Sequence, residues 1–146
     1  MNSTNIIENV FAALAGSDSD RISAVFTEDA EWLSPAGNAT AVALGRTHHM
    51  VGRDTITRFF AEDFPRLFSR DLSVEFRSIH VNGEWAVVEA TMTATLTNGN
   101  PYSNDYCLLF ELRDDLIHRV REYVDTARGL RTVLGEVPRE TPQFHE

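Results

Sequence analysis

Residues 106–125 read YCLLFELRDDLIHRVREYVD, two strand-length runs separated at Arg113-Asp114-Asp115. Apolar residues dominate the first run and are interleaved with charged ones in the second. Aspartates accept the backbone angles of tight turns, so this stretch predicts two antiparallel strands joined by a short turn. Upstream, LSVEFRSIHV (72–81) and EWAVVEATMTATL (84–96) carry a two-residue period and are separated by Asn82-Gly83. A second turn signal, Asn98-Gly99-Asn100-Pro101, leads into YSNDYCLLFEL (102–112). Everything after Ser69 is therefore expected to be four strands.

The half before Ser69 has a different period. Ile6, Ile7, Val10, Phe11 and Leu14 recur at helical spacing, with Asn5 and Glu8 as a capping-box variant and Gly16 as the stop. SDSDRISAVF (17–26) predicts a short second helix capped by Asp18 or Ser19, with Ile22, Val25 and Phe26 on one face. Ile56, Phe59, Phe60, Phe64 and Leu67 predict a third, bending or ending near Pro65. Between them, residues 35–52 are expected to form a long loop. Helices followed by strands imply an α+β fold, with an antiparallel sheet packed on a helical layer. ARGLRTVLG (127–135) adds a last helical turn. The expectation is one domain, residues 1–135, and a flexible tail, residues 136–146.

Composition excludes several classes of function. A net charge of −9 with scattered acids provides no basic patch for nucleic acid. IIENVFAALAG (6–16) is interrupted by Glu8 and Asn9, so neither a signal peptide nor a membrane span is expected, and a cytoplasmic protein follows. Cys107 is the single cysteine, inside an apolar run, and is expected to act as a small buried hydrophobe. No Cys/His spacing fits a metal site, and none of the motifs implies a cofactor.

With FTEDAEWLSPAG (26–37), GRDTITRFF (52–60) and YCLLFELRDDLIHRVREYVD in this order, the chain resembles the SnoaL-like branch of the nuclear transport factor 2-like superfamily. Its relatives include ketosteroid isomerases, limonene epoxide hydrolases and polyketide cyclases. The resemblance implies a cone-shaped curved antiparallel sheet wrapped against about three N-terminal helices, the cystatin-like α+β barrel. It also implies a largely apolar pocket and, in many members, a homodimer. The chain departs from the enzymes at their reacting positions. The isomerase general base falls on Ser34, the oxyanion tyrosine near Val10 and the protonated aspartate on Tyr106. Of the hydrolase Asp-Arg-Asp set, Glu89 and Thr91 occupy two positions and only Asp125 matches; the water-holding residues fall on Trp32 and Ser34.

Strand alternation puts Arg121, Tyr123 and Asp125 on one face of the last strand and Glu122 and Val124 on the other. In the second strand Trp85, Val87, Glu89, Thr91 and Thr93 oppose the apolar set Ala86, Val88, Ala90, Met92, Ala94 and Leu96. Pattern alone sends the apolar set to the core; the resemblance puts Glu89 and Thr91 inside the cone and the Ala-rich face against a partner subunit. The expectation follows the resemblance. Two carboxyl groups in one dry hollow repel each other, so one holds a proton to donate while the other accepts one, and Glu89 and Asp125 are the expected acid/base pair. Tyr106 and Tyr123 are expected to orient the substrate and donate to a developing oxyanion. Phe11, Leu14, Trp32 and Leu108 would wall a hydrophobic ring-containing ligand. Ser34, His48, His49, Thr91, Asn104 and Arg121 complete the expected substrate-binding set. The favoured reading is a cofactor-independent isomerase, cyclase, dehydratase or hydrolase. Two alternatives stand beside it: a non-catalytic ligand-binding dimeric module, and a divergent epoxide hydrolase. A strand-end ion pair of Arg121 with Asp125 is the bland reading of those two residues.

Overall fold

In the computed structural model, which describes residues 2–135, the chain begins with α1 (Ser3–Ala15), where Ile6, Ile7, Val10, Ala13 and Leu14 are buried along one stripe. Its N-cap is Asn2, one turn earlier than the expected Asn5; the Asn2 side chain accepts the Asn5 backbone N–H at 2.9 Å. Asp18 caps α2 (Ser19–Ser23), as its position suggests. Phe26 does not continue that helix but opens β1 (Phe26–Leu33), a strand the helical reading of 17–26 obscured.

The segment expected to be a loop contains α3 (Ala39–Leu44), capped by Asn38 and closed by Gly45 at φ 65°, and β2 (His49–Val51). The third helix is three pieces: α4 (Arg53–Arg58), a π-helical turn (Phe59–Asp63) and α5 (Phe64–Leu67). Pro65 lacks an N–H to donate, and the widened turn just before it absorbs that loss without ending the helical path. The turn also groups Phe59, Phe60 and Phe64, with ring centroids 5.0 to 6.2 Å apart.

The four expected strands are β3 (Phe68–Asn82), β4 (Trp85–Leu96), β5 (Pro101–Arg113) and β6 (Leu116–Val124), followed by α6 (Thr126–Leu134). They form one six-stranded sheet in the order β2-β1-β6-β5-β4-β3. All neighbours are antiparallel except β1 and β6, which are parallel. Register shifts in β3 and β6 bend the sheet, as bulges do, and its inner face closes over the helices. Ile7, Val10, Ile22, Phe26, Ile56, Val88, Phe110, Ile117 and Val120 meet there in one core. The α+β class expected from the element order is the class found.

Two bulges settle which residues look inward. In β3 the shift between Phe76 and Ser78 moves the buried set from Val74 and Phe76 to Ile79. In β6, Glu111 pairs with Arg119 but Leu112 pairs with Ile117, so His118 is an extra residue. Unbroken alternation from Ile117 would have turned Arg119, Arg121, Tyr123 and Asp125 inward. The bulge reverses the phase, and Val120, Glu122 and Val124 face in.

Candidate functional site

The open end of the bent sheet, capped by α3 and the π-helical turn, encloses a cavity of about 110 Å³. Phe11 and Leu14 of α1 and Trp32 and Met50 of β1 and β2 wall it on one side. Phe59, Phe60 and Phe64 close the helical side, and Ala90, Met92, Tyr106 and Leu108 line it from β4 and β5. Asn38, Thr40 and Ala41 contribute from α3 and its cap. These positions follow from local structure: the alternating apolar set of β4 lies inside, and the aromatic stripe of the third helix packs onto it.

The one charged side chain among the lining residues is Glu122. It sits on the inner face of β6 directly across from Leu108, with Tyr106 one pair further along β5 beside Val124. Trp32 Nε1 donates to Glu122 Oε1 at 3.2 Å. Glu122 is half-buried and lines the cavity. No lysine, arginine or histidine is among the lining residues. Loss of hydration therefore dominates, and burial pushes the Glu122 carboxyl up to about 7, with the Trp32 hydrogen bond opposing the rise. Removing that donor with Trp32→Phe is expected to raise the Glu122 midpoint further, read from its side-chain carboxyl signal in an NMR titration; a lowered midpoint would show that desolvation does not dominate.

Beside it, the Tyr106 and Tyr102 hydroxyls share a 2.6 Å hydrogen bond. Desolvation holds Tyr106 well above the ordinary tyrosine value, and burial also raises Tyr102. Both therefore keep their protons across the physiological range, as hydrogen-bond donors must.

The expected site residues divide sharply. Phe11, Leu14, Trp32, Ser34, Tyr106 and Leu108 line the cavity. Glu89 does not: it lies exposed on the outer face, near Ser78 Oγ at 3.4 Å, because the apolar set of β4 takes the inner face. The Ala-rich face is thus core, not a partner surface. Thr91 is outward too, accepting from Arg77 and donating to Asp105, both at 2.8 Å. Tyr123 and Arg121 are exposed as a result of the β6 bulge. Cys107, expected to be buried, is half-buried beside Tyr123 on that outer face.

Asp125 is exposed and caps α6, accepting the Arg128 backbone N–H at 3.0 Å, and the expected Glu89–Asp125 pair is not formed. Asp125→Ala is expected to cost about 1 kcal/mol through the lost cap and to leave the cavity unchanged, measured by denaturant melts. Asn104 is fully buried behind the site, donating to the Asp125 carbonyl at 2.9 Å, and does not line it. His48 offers only its carbonyl, to Ser34, and His49 reaches outward to Glu31 at 3.0 Å. The decisive residue missed in the sequence is Glu122. Its signal was available: Val120 and Val124 flank it at strand spacing, marking an acid on an apolar face.

The family model for the SnoaL-like domain matches residues 7–120. No curated protein sequence matches the chain. Among solved structures, TerC co-crystallised with polyporic acid is 21% identical over 90% of this chain and 98% of its own, with a TM-score of 0.76. A hypothetical protein of ketosteroid isomerase-like fold from Catenulispora acidiphila DSM 44928, in complex with trimethylamine, is 18% identical over 97% and 100%, with a TM-score of 0.73. An LEH-like epoxide hydrolase of M. tuberculosis is 18% identical over 91% and 90%, with a TM-score of 0.70. At these identities the likeness is one of fold.

Proposed function

The chain belongs to the SnoaL-like domain family, and we propose that its Glu122 cavity is the active site of a cofactor-independent enzyme that moves protons on a small apolar ring compound. The observation that carries this reading is a carboxyl group poised at about 7 in an apolar cavity with no cation among the lining residues. Such a group is a competent base when ionised and a competent acid when protonated, both within one pH unit of neutrality. Substrate enters with its ring against Phe60, Phe64 and Leu108. Glu122 takes or returns a proton at the carbon or oxygen held above it, and the Tyr106 hydroxyl, oriented by Tyr102, donates to the oxygen on which negative charge develops. The aromatic walls exclude water, which strengthens both interactions. A cavity near 110 Å³, below the roughly 150 Å³ of a dry cavity that holds benzene, limits the ligand to at most a single small ring.

The test is deuterium incorporation from D2O into cyclopentanone and cyclohexanone, followed by mass spectrometry. Glu122→Gln should slow it by about 10²-fold or more, whereas Glu89→Gln and Asp125→Asn should leave it intact. Exchange that persists in Glu122→Gln would remove Glu122 from the mechanism. An epoxide hydrolase reading is weaker, because its carboxylates and arginine would stand at Glu89, Thr91 and Asp125, which face outward. A homodimer completes the proposal. Leu33, Val51, Val81, Trp85 and Tyr123 are exposed and supply apolar surface for it; sedimentation equilibrium decides the point. Among the described residues no helix is long and apolar enough to cross a membrane.

A further inference from the structure

The polar groups on the cavity wall are almost all satisfied within the protein. Ser34 Oγ donates to the His48 carbonyl, and Asn38 donates to Ser34 Oγ and the Pro35 carbonyl while accepting the Ala41 N–H. Thr47 Oγ1 accepts the His49 N–H, and the Tyr106 and Tyr102 hydroxyls are hydrogen-bonded to each other. Glu122 is different. Its hydrogen bond among the described residues is the one from Trp32 to Oε1, which leaves Oε2 without a partner at the cavity surface. Trp32 from β1 donates to it and Leu108 of β5 lies directly across from it, and Tyr106, Phe59, Phe60, Phe64, Asn38, Thr40 and Ala41 line the same cavity. None of these supplies a positive charge.

We infer that the cavity takes a small apolar amine as its ammonium ion, with Glu122 as the counter-ion and the aromatic rings around its hydrocarbon part. This rests on the reading of the Glu122 cavity as the ligand site, and names the class of molecule it holds. An ionised carboxylate without a counter-ion in an apolar cavity has lost hydration that the single Trp32 hydrogen bond replaces only in part. A cation brought by the ligand makes up the remainder; a neutral ring does so only through a hydrogen bond, and a carboxylate ligand worsens the repulsion. Phe11, Trp32, Phe59, Phe60, Phe64 and Tyr106 make the wall rich in π-systems, which favour cations over anions. The net charge of −9 adds attraction at longer range. In the ion pair the transferable proton lies between the ligand nitrogen and Glu122, the group assigned to proton transfer.

The experiment is a calorimetric titration of the full chain with cyclopentylamine, cyclopentanol and cyclopentanecarboxylate, which share a ring and differ in charge. At pH 8 the amine is expected to bind at least ~10-fold tighter than the alcohol, with no binding of the carboxylate. At pH 5, where Glu122 is protonated, that preference should fall to near unity. Glu122→Gln should lose at least ~10-fold in amine affinity and retain the alcohol. Equal or tighter binding of the alcohol at pH 8, unchanged amine affinity in Glu122→Gln, or failure of all three ligands to bind would each overturn the inference. Ketone exchange in D2O separates this from the catalytic reading. Amine preference without exchange leaves this inference standing and removes the enzyme; exchange without amine preference does the reverse.

Discussion

Glu122→Gln is expected to stabilise the protein by about 3 kcal/mol at pH 8 and to change it little at pH 4, a reversal of what removing a charged residue usually does. The carboxyl is raised from 4.5 to about 7 by burial. Between those values the folded state binds a proton that the unfolded state has released, so wild-type stability falls as pH rises through this window. Below pH 4.5 both states are protonated and the folded form bears no penalty. Above 7 both are ionised, and the folded form bears all of it, at about 1.4 kcal/mol for each tenfold difference in proton affinity. Glutamine keeps an acceptor for Trp32 Nε1 and cannot ionise, so the variant should lack the part of the wild-type slope that Glu122 contributes. Urea melts at pH 4, 6 and 8 read the difference directly. A constant offset between the two proteins across that range would mean that Glu122 is not held in a dry site.

Phe110→Ala is expected to cost about 4 kcal/mol and to lower the melting temperature by roughly 10–15 °C. Phe110 is fully buried on the inner face of β5, and its ring meets Phe11 edge-on at a centroid distance of 5.9 Å. Phe11 in turn packs on Phe76 at 5.0 Å and forms a wall of the ligand cavity. Truncation thus removes transfer energy, leaves a void that the sheet cannot close, and frees the Phe11 ring. Ligand affinity should weaken alongside stability. A drop of only a few degrees would show that the core repacks around the missing ring, and would detach the cavity wall from the sheet behind it.

Much of the architecture was legible from residue spacing. The alternating apolar set of β4, the aromatic stripe of Ile56, Phe59, Phe60 and Phe64, and the Asn-Gly and Asp-Asp turns each report a local preference that tertiary contacts did not override. β1 was lost because Phe26 fits a helical stripe as well as a strand start. The α3 and β2 elements are too short to show a period. Of the expected wall, Phe11, Leu14, Trp32 and Leu108 were found because apolar residues on a periodic face have few places to go. Each member of the acid/base pair was placed on the wrong face, on β6 because the bulge at His118 reverses the phase. On β4 the apolar pattern already placed Glu89 outside, and the resemblance to enzymes with acids at matching positions pointed the wrong way.

Local spacing alone determined that the chain has an α+β fold, with helices first and a sheet second, while the apolar hollow between them was what the family resemblance implied. Periods of 3.6 and 2 residues are properties of the backbone itself, readable without any partner. Tertiary structure decided that Glu122 and not Asp125 faces that hollow. The deciding feature is the bulge at His118, between the Leu112–Ile117 and Glu111–Arg119 pairs of β5 and β6. A bulge leaves one residue unpaired, and one residue inverts every side chain beyond it.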